Sequence, residues 1–340
     1  MSDVSECPGY RVGITFNLKR KKNDEYDDEQ AEYDSISTIE AIGRAINGAG
    51  CEVVFLEADA ELPWKLQKLR PDIVFNIAEG KGGRGREAQV PSILNLYSIP
   101  FTGSDETTLC IALDKSLAKR IVRSSGIKTP AFFVWKDDDT VIPSNLHYPV
   151  IVKPNAEGSS KGLVGVSVAN SRSELIGLLR EKRNRYRQPL LVEEYIQGRE
   201  FTVGILGNGS SMRVFRPMEI IVSPEGNPDS SRIYSFQVKN NFQKYVKYKC
   251  PAEIGSEIEE KLIKTSAKIY ELLECLDFAR IDYILSEDNE VYFIEINPLP
   301  GLAPGYSDYP MLAEFNGMGY NELVLEILNC GLKRHGMQAV

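Results

Sequence analysis

Asp282, Glu295 and Asn297 are oxygen donors set in two apolar runs, F-A-R-I-D-Y-I-L (278–285) and V-Y-F-I-E-I-N-P (291–298). The polar turn S-E-D-N-E between them predicts a β-hairpin. In such a hairpin Asp282 can face Glu295 across the ladder. Asn297 shares the face of Glu295, because strand side chains repeat with period two. Buried carboxylates without partners are costly, so converging oxygens point to a hard cation. Mg²⁺ held by a few carboxylate oxygens and by substrate phosphates is the usual arrangement in ATP sites. A polar edge strand with an ion pair to Arg280 is the other reading of the hairpin alone.

A second set of residues suits phosphate. Y-P-V-I-V-K-P-N-A-E-G-S-S-K-G (148–162) places Lys153 at the end of a strand, ahead of a Gly/Ser loop. Gly158 and Gly162 let backbone N–H groups approach an anion, and Ser159 and Ser160 add hydroxyl donors. The loop is not a Walker A motif, and an ordinary hairpin turn also fits it. Lys115, in L-D-K-S at the start of a helix, is a second phosphate contact or a solvated surface lysine. L-V-E-E-Y-I-Q-G-R-E-F-T-V (191–203) carries Glu193, Glu194 and Glu200 around a turn at Gly198. These are acceptors for an adenine amine and ribose hydroxyls, or the residues of a surface hairpin.

Positioning these groups requires a layered α/β chain. Strands are predicted over 11–16, 51–56 and 71–77, with helices over 35–46 and 87–97 between and after them. That alternation implies a parallel sheet in the first hundred residues. I-P-F-T-G-S (99–104) is turn-rich and marks a boundary. A helix over 113–126 ends in glycine, and strands follow at 129–135 and 148–154. After a helix near 172–183 comes a denser β region at 190–196, 200–206 and 212–221. A long helix over 258–276 precedes the carboxylate hairpin, and 323–328 reads as a terminal helix. The charged segment 19–30 is a solvated loop or a lid.

The 340 residues, 42% hydrophobic, allow an ample core and two or three domains. A net charge of −8 argues against a nucleic-acid partner. The six cysteines are scattered, which fits reduced thiols and a cytoplasmic protein rather than a disulfide framework. No apolar run suggests a membrane partner. With only His147 and His335 available, chemistry falls to Lys, Arg, carboxylates, hydroxyls and backbone N–H groups.

The motifs D-K-S, V-K-P-x-x-E-G-S-S-x-G, E-E-Y-I-x-G-R-E-F-T-V, A-R-I-D-Y and F-I-E-I-N-P-L-P-G occur in that order. From about residue 70 onward the chain resembles the D-alanine–D-alanine ligase family of the ATP-grasp superfamily. The resemblance implies a three-domain ATP-grasp fold, α/β overall and α+β toward the C-terminus. It has an N-terminal parallel α/β domain (1–108), a central lid domain (109–188) and a C-terminal antiparallel-sheet domain (189–340). It further implies ATP, two Mg²⁺ ions with Mn²⁺ as an alternative, amino-acid-like substrates and a possible homodimer. Lys115 and Lys153 then contact phosphate, and Ser159 and Ser160 lie in the covering loop. Glu193 lies near adenine with Glu194 beside it, Glu200 lies near ribose, and Asp282, Glu295 and Asn297 hold metal. Arg280 and the Gly301 N–H stabilise an oxyanion, and Ser307 grips the second substrate's carboxylate.

The chain also departs from the family pattern. The short loop after the first strand is replaced by the charged insertion, which brings Tyr33 near the position of a glutamate that holds the first substrate's amine. Glu32 and Asp34 are alternatives. Glu79 replaces a histidine in E-G-K-G-G-R-G-R-E-A-Q (79–89). There Arg84 and Arg86 suit a carboxylate-bearing substrate, or else form a solvated loop with Glu87. In Y-S-F-Q-V-K-N-N (234–241) Lys239 is kept, but Asn240 stands where the family has tyrosine. One extra residue separates Gly301 from Ser307. The family's tyrosine and glutamate form a hydrogen-bonded cluster with the serine matching Ser159. Their joint loss implies a substrate pair other than two D-alanines, with a true D-alanine–D-alanine ligase and a non-catalytic nucleotide-binding regulator as the competing readings.

Overall fold

The computed structural model describes residues 9–20, 32–157, 167–222 and 246–340. Strand β1 (Arg11–Phe16) is followed by α1 (Ile36–Gly48), β2 (Glu52–Glu57), α2 (Leu62–Leu69) and β3 (Ile73–Asn76). The three strands form a parallel sheet in the order β2-β1-β3, as the alternation predicts. Ser35 caps α1 by accepting from the Thr38 N–H, and the apolar face Ile39, Ile42 and Ile46 is buried against β1. Its neighbours in that core are Leu323, Val324, Ile327 and Leu328 from the last helix, Tyr320–Arg334, so the first sheet is covered by the chain's final element.

The region after β3 differs from the predicted single helices. Residues 86–88 form a 3₁₀ turn that leads into α3 (Gln89–Leu96), with Pro91 tolerated in the first turn. The segment predicted as one helix over 113–126 is the second of two. α4 (Glu106–Leu113) ends at Asp114, which is extended and serves as N-cap of α5 (Lys115–Ser124). An Asx cap inside an apolar-periodic run breaks it without glycine or proline, so periodicity alone does not show the break.

Strands β4 (Phe132–Trp135), β5 (Val150–Pro154), β6 (Ser167–Ala169) and β7 (Leu190–Glu194) form an antiparallel sheet in the order β4-β7-β5-β6. The helix Arg172–Tyr186 packs on it through Leu175 and Leu179. A boundary at 188 thus falls just before β7, the last strand of that sheet. Then come β8 (Gly198–Leu206), β9 (Arg213–Val214), β10 (Met218–Val222), β11 (Val246–Lys249), β12 (Phe278–Ser286) and β13 (Val291–Asn297). They make a second antiparallel sheet, β11-β10-β8-β12-β13, with β9 on β8. The helix Ser256–Leu272 covers one face through Leu262 and Ile269. The opposite face of β8, β12 and β13 carries the polar residues described next. No described helix is long and apolar enough to cross a membrane.

Candidate active site

The hairpin carries its polar residues on one face. Arg280 pairs with Asn297 and Asp282 with Glu295 in the β12–β13 ladder, so all four project to the same side. The register shifts directly after Asp282, a β-bulge of the kind that aims side chains beside active sites. Thr202 on β8 lies opposite Asp282, and its hydroxyl donates to Oδ1 at 2.7 Å. Arg280 grips Asp282 through Nε–Oδ1 at 3.1 Å and Nη2–Oδ2 at 2.9 Å, and its Nη1 lies 3.4 Å from Asp308 Oδ2. The ion pair and the oxygen cluster are therefore parts of one arrangement. Burial would raise the Glu295 carboxyl, but Lys115, Lys153 and Arg280 outweigh it and hold it at about 2. Burial raises Asp282 above the usual carboxylate range, with Glu295 adding to the rise and Arg280 opposing it.

Lys115 opens α5, where Asp114 accepts from the Leu117 N–H at 3.1 Å. Its Nζ lies 3.3 Å from Glu295 Oε2 and donates to the Glu157 carbonyl. Asn155 ties the chain after β5 to this helix start. Its Oδ1 accepts from Ser116 N at 3.1 Å, and its Nδ2 donates to Asp114 Oδ1 at 2.8 Å. Lys153 Nζ lies 2.6 Å from Glu193 Oε1. The other oxygen of Glu193 lies 3.0 Å from Lys119 Nζ, and Lys119 is fully buried and donates to Thr129 Oγ1 at 3.0 Å. Burial draws the Lys119 ammonium down to about 8. Burial also opposes the charge on Glu193, yet Lys119 and Lys153 hold its carboxyl below the ordinary range. Glu194, next along β7, is half-buried on the opposite face. Glu200 shares the face of Thr202 on β8. Burial, then the charges of Asp282 and Glu295, push its carboxyl to about 7.

One cleft of about 380 Å³ brings together Lys115, Arg280, Glu295, Asn297, Gly301 and Ser307, and on its other wall Tyr33 and Glu79. Lys153, Glu193, Glu194 and Glu200 lie outside that lining. Ser159, Ser160, Lys239 and Asn240, together with most of the charged 19–30 segment, fall outside the described residues. Ser307 sits against Gly301, where a Cβ would stand 2.9 Å from its hydroxyl oxygen. The Ala303 N–H donates to that oxygen at 3.2 Å.

The wall bearing Glu79 is held from β1 and β3. Asn17, just after β1, accepts from the Gly80 N–H at 2.8 Å, and the Tyr33 hydroxyl donates to the Gly80 carbonyl at 3.2 Å. Gly80 has φ +70°, and a Cβ there would lie 2.0 Å from the Arg86 carbonyl oxygen. Gly80→Ala is therefore expected to cost about 1–3 kcal/mol or more in a urea melt.

Arg86 corrects both readings of its segment. It is neither solvated nor open to a substrate carboxylate. It is 4% exposed, with Nη2 at 2.9 Å from Glu32, 3.7 Å from Glu157 and 3.9 Å from Glu87. Its Nη1 donates to the Ala156 carbonyl at 2.9 Å. Arg84 is exposed and lies 3.6 Å from Asp114. Burial raises Glu79 well above the carboxylate range, and Glu32 and Glu87 add to the rise.

Lys119, Thr202, Asp308 and Glu157 were not singled out from the sequence. Each comes into play only through a partner on another element, and nothing in its own neighbourhood marks it.

The family model for the D-ala D-ala ligase C-terminus matches residues 121–329. A D-alanine–D-alanine ligase of Aquifex aeolicus (strain VF5) is 33% identical over 297 residues, covering 86% of this chain and 94% of that protein. Two solved structures share the fold. The Bacillus anthracis D-alanine–D-alanine ligase complexed with ATP has a TM-score of 0.74 at 22% identity, covering 97% of this chain and 100% of its own. The VanG D-Ala:D-Ser ligase of Enterococcus faecalis has a TM-score of 0.73 at 20% identity, covering 95% and 99%. A matching family model over most of the chain, a relative of this identity and a hairpin with its charged face intact lead to one assignment: the chain belongs to the D-alanine–D-alanine ligase family, ATP-dependent ligases of the ATP-grasp fold.

Proposed function

We propose that this ligase joins the carboxylate of one amino acid to the amine of another amino acid or related small molecule, releasing ADP and phosphate, and that its substrates are not two D-alanines. The observation that carries the reading is the single cleft shared by Lys115, Glu295, Asn297, Arg280 and Ser307. It sets phosphate-binding, metal-binding and oxyanion-binding groups side by side.

The donor set suits Mg²⁺. Among the described residues no group of three His, Cys, Asp or Glu side chains is arranged to hold a metal ion by itself. The hairpin instead offers two carboxylates and one amide, which leaves coordination positions for nucleotide phosphates. Glu295, held at about 2, is ionised at any working pH. Asp282, Glu295 and Asn297 would hold two ions, which when bound neutralise phosphate charge and favour in-line displacement.

The chain's own groups then act in order. Lys115 and Lys153 bind phosphate oxygens, with Glu193 and Lys119 fixing Lys153. By the family motif, Ser159 and Ser160 act on the phosphates, and Lys239 belongs to the catalytic set. Glu193, with Glu194 beside it, takes the adenine end and Glu200 the ribose end. The first substrate's carboxylate oxygen attacks the γ-phosphorus and ADP leaves, giving an acyl phosphate. This matters because hydroxide is a poor leaving group and phosphate a good one. The second substrate's amine attacks the carbonyl carbon, its carboxylate held by Ser307. The C–O bond to phosphate breaks and the amine loses a proton. The intermediate's oxyanion meets Arg280 and the Gly301 N–H. The guanidinium has more N–H groups than its contacts to Asp282 and Asp308 use. Tyr33, Glu79 and Asn240 shape the first substrate's pocket.

Arg280→Lys keeps the charge but loses the planar two-point grip. It is expected to lower kcat by about 10²–10³-fold, about 3–4 kcal/mol of transition-state stabilisation, with a smaller change in KM. Steady-state phosphate release reads this directly.

The function itself is tested by phosphate release from Mg-ATP against D- and L-amino acids, singly and in pairs, with products identified by mass and chirality. Release with a pair other than two D-alanines is the expected result. A strong preference for D-alanine at both positions would sink the substrate proposal. It would favour a second reading, dipeptide synthesis from D-alanine, which is what the relatives' names describe. ATP binding with no release for any mixture would favour a non-catalytic regulator.

A further inference from the structure

We propose that one substrate carries a second cationic group besides its α-ammonium, as in a diamino acid of the ornithine or lysine class, and that Glu79, Asp34 and Glu32 receive that group. The inference rests on the ligase reading and narrows the substrate class of the same site.

The cleft has two unlike walls. On the Ser307 side each acid has a cation. Glu295 lies 3.3 Å from Lys115, and Asp308 lies 3.4 Å from Arg280. On the Glu79 side the lining holds Glu32, Asp34, Glu79, Glu87 and Glu157. Arg86 lies among them and is shared by Glu32, Glu87 and Glu157, and Lys19 also lines the cleft. Asp34 and Glu79 have no ion pair and no side-chain hydrogen bond among the described residues. The Glu32 side chain is 6% exposed, and its Oε1 is buried with no hydrogen-bond partner.

Glu32 Oε1 is a buried acceptor without a donor, which is costly and seldom kept without a use, while Asp34 and Glu79 are half-buried carboxylates lining the cleft. The α-ammonium of an ordinary amino acid satisfies one such carboxylate and leaves the others unmatched. A second ammonium at the end of a flexible chain supplies the missing donors and charge. An acidic side chain would add repulsion, and a neutral one would leave the acceptors bare. The protonation tendencies agree with a site short of positive charge. Burial pushes Asp34 and Glu87 to about 7, and Glu79 rises further.

Calorimetry on the full chain, with Mg²⁺ and a non-hydrolysable ATP analogue, reads binding apart from turnover. Ornithine and lysine, as both enantiomers, are compared with norvaline and norleucine, which keep the carbon chain and lack the second amine. The expected result is at least tenfold tighter binding of a diamino acid than of its neutral counterpart. That preference should shrink in Glu79→Gln and, independently, in Asp34→Asn. Equal or weaker binding, or no binding of either kind, overturns the inference. Phosphate release in the same mixtures keeps the two readings apart. Turnover with neutral amino acids and not with diamino acids removes the second cation and keeps the ligase. Tight binding of a diamino acid without turnover in any pair keeps the second cation and removes the ligase.

Discussion

Glu295→Gln is expected to lower the rate of phosphate release by about 10³-fold, about 4 kcal/mol in the barrier, while the chain still folds. The glutamine keeps the shape and one oxygen of the side chain but gives up its charge. In the hairpin Glu295 is the carboxylate held at about 2 by Lys115, Lys153 and Arg280, so its negative charge balances three cations that converge on one point. Removing it weakens metal binding and leaves Lys115 free to swing away from the phosphate position. Two readouts identify this cause. The Mg²⁺ concentration for half-maximal rate should rise well above that of the parent, and the thermal midpoint should fall moderately, because the lost charge no longer balances the cations around it. A variant with unchanged Mg²⁺ dependence and near-parental kcat would remove Glu295 from the metal site.

Glu193→Gln is expected to be the most destabilising of the substitutions considered, at about 3–5 kcal/mol. Glu193 is 2% exposed and lies between Lys153 at 2.6 Å and Lys119 at 3.0 Å. Without its charge, two ammonium groups are left buried in mutual repulsion, and one of them, Lys119, has no access to solvent. The loss should appear as a lower urea midpoint with little change in slope. Its pH dependence has a definite sign. The folded Glu193 carboxyl is held below its ordinary value. The stabilisation is thus full above that ordinary value and is lost as the pH falls through the lower, folded one. The gap between parent and variant should therefore narrow on acidification. If the gap stays constant from neutral to acid pH, the ion triplet is not the origin of the loss.

These two residues also show what could be read beforehand. Glu295 was legible because it interrupts an apolar strand at the same parity as Asn297, opposite Asp282 and across a recognisable turn. Local patterning and a two-residue period were enough. The parallel first sheet was legible for a similar reason, since short apolar strands alternate with an amphipathic helix. Lys119 was not. It sits in K-S-L-A-K-R-I-V-R-S, where a lysine looks like any solvated helix residue. Only β7, folding back against α5, brings Glu193 to it. Arg86 was misplaced for the same reason. Its partners come from residue 32, from its neighbour 87 and from residue 157. Charged residues with distant partners carry no local signature, and the helix Glu106–Leu113, just ahead of the one predicted over 113–126, was missed because its apolar residues do not gather on one face.

The cover of the first sheet by the helix Tyr320–Arg334 has a consequence for the order in which the protein assembles. Ile14 and Ile42, near the chain's beginning, share their core with Leu323, Ile327 and Leu328 near its end. Arg334 donates to the carbonyls of Phe101 and Gly103. During synthesis on the ribosome, β1, α1, β2 and β3 emerge well before the helix Tyr320–Arg334, so the core they share stays incomplete until that helix is made. The wall that bears Glu79 is thus translated long before the helix that completes the core of its sheet.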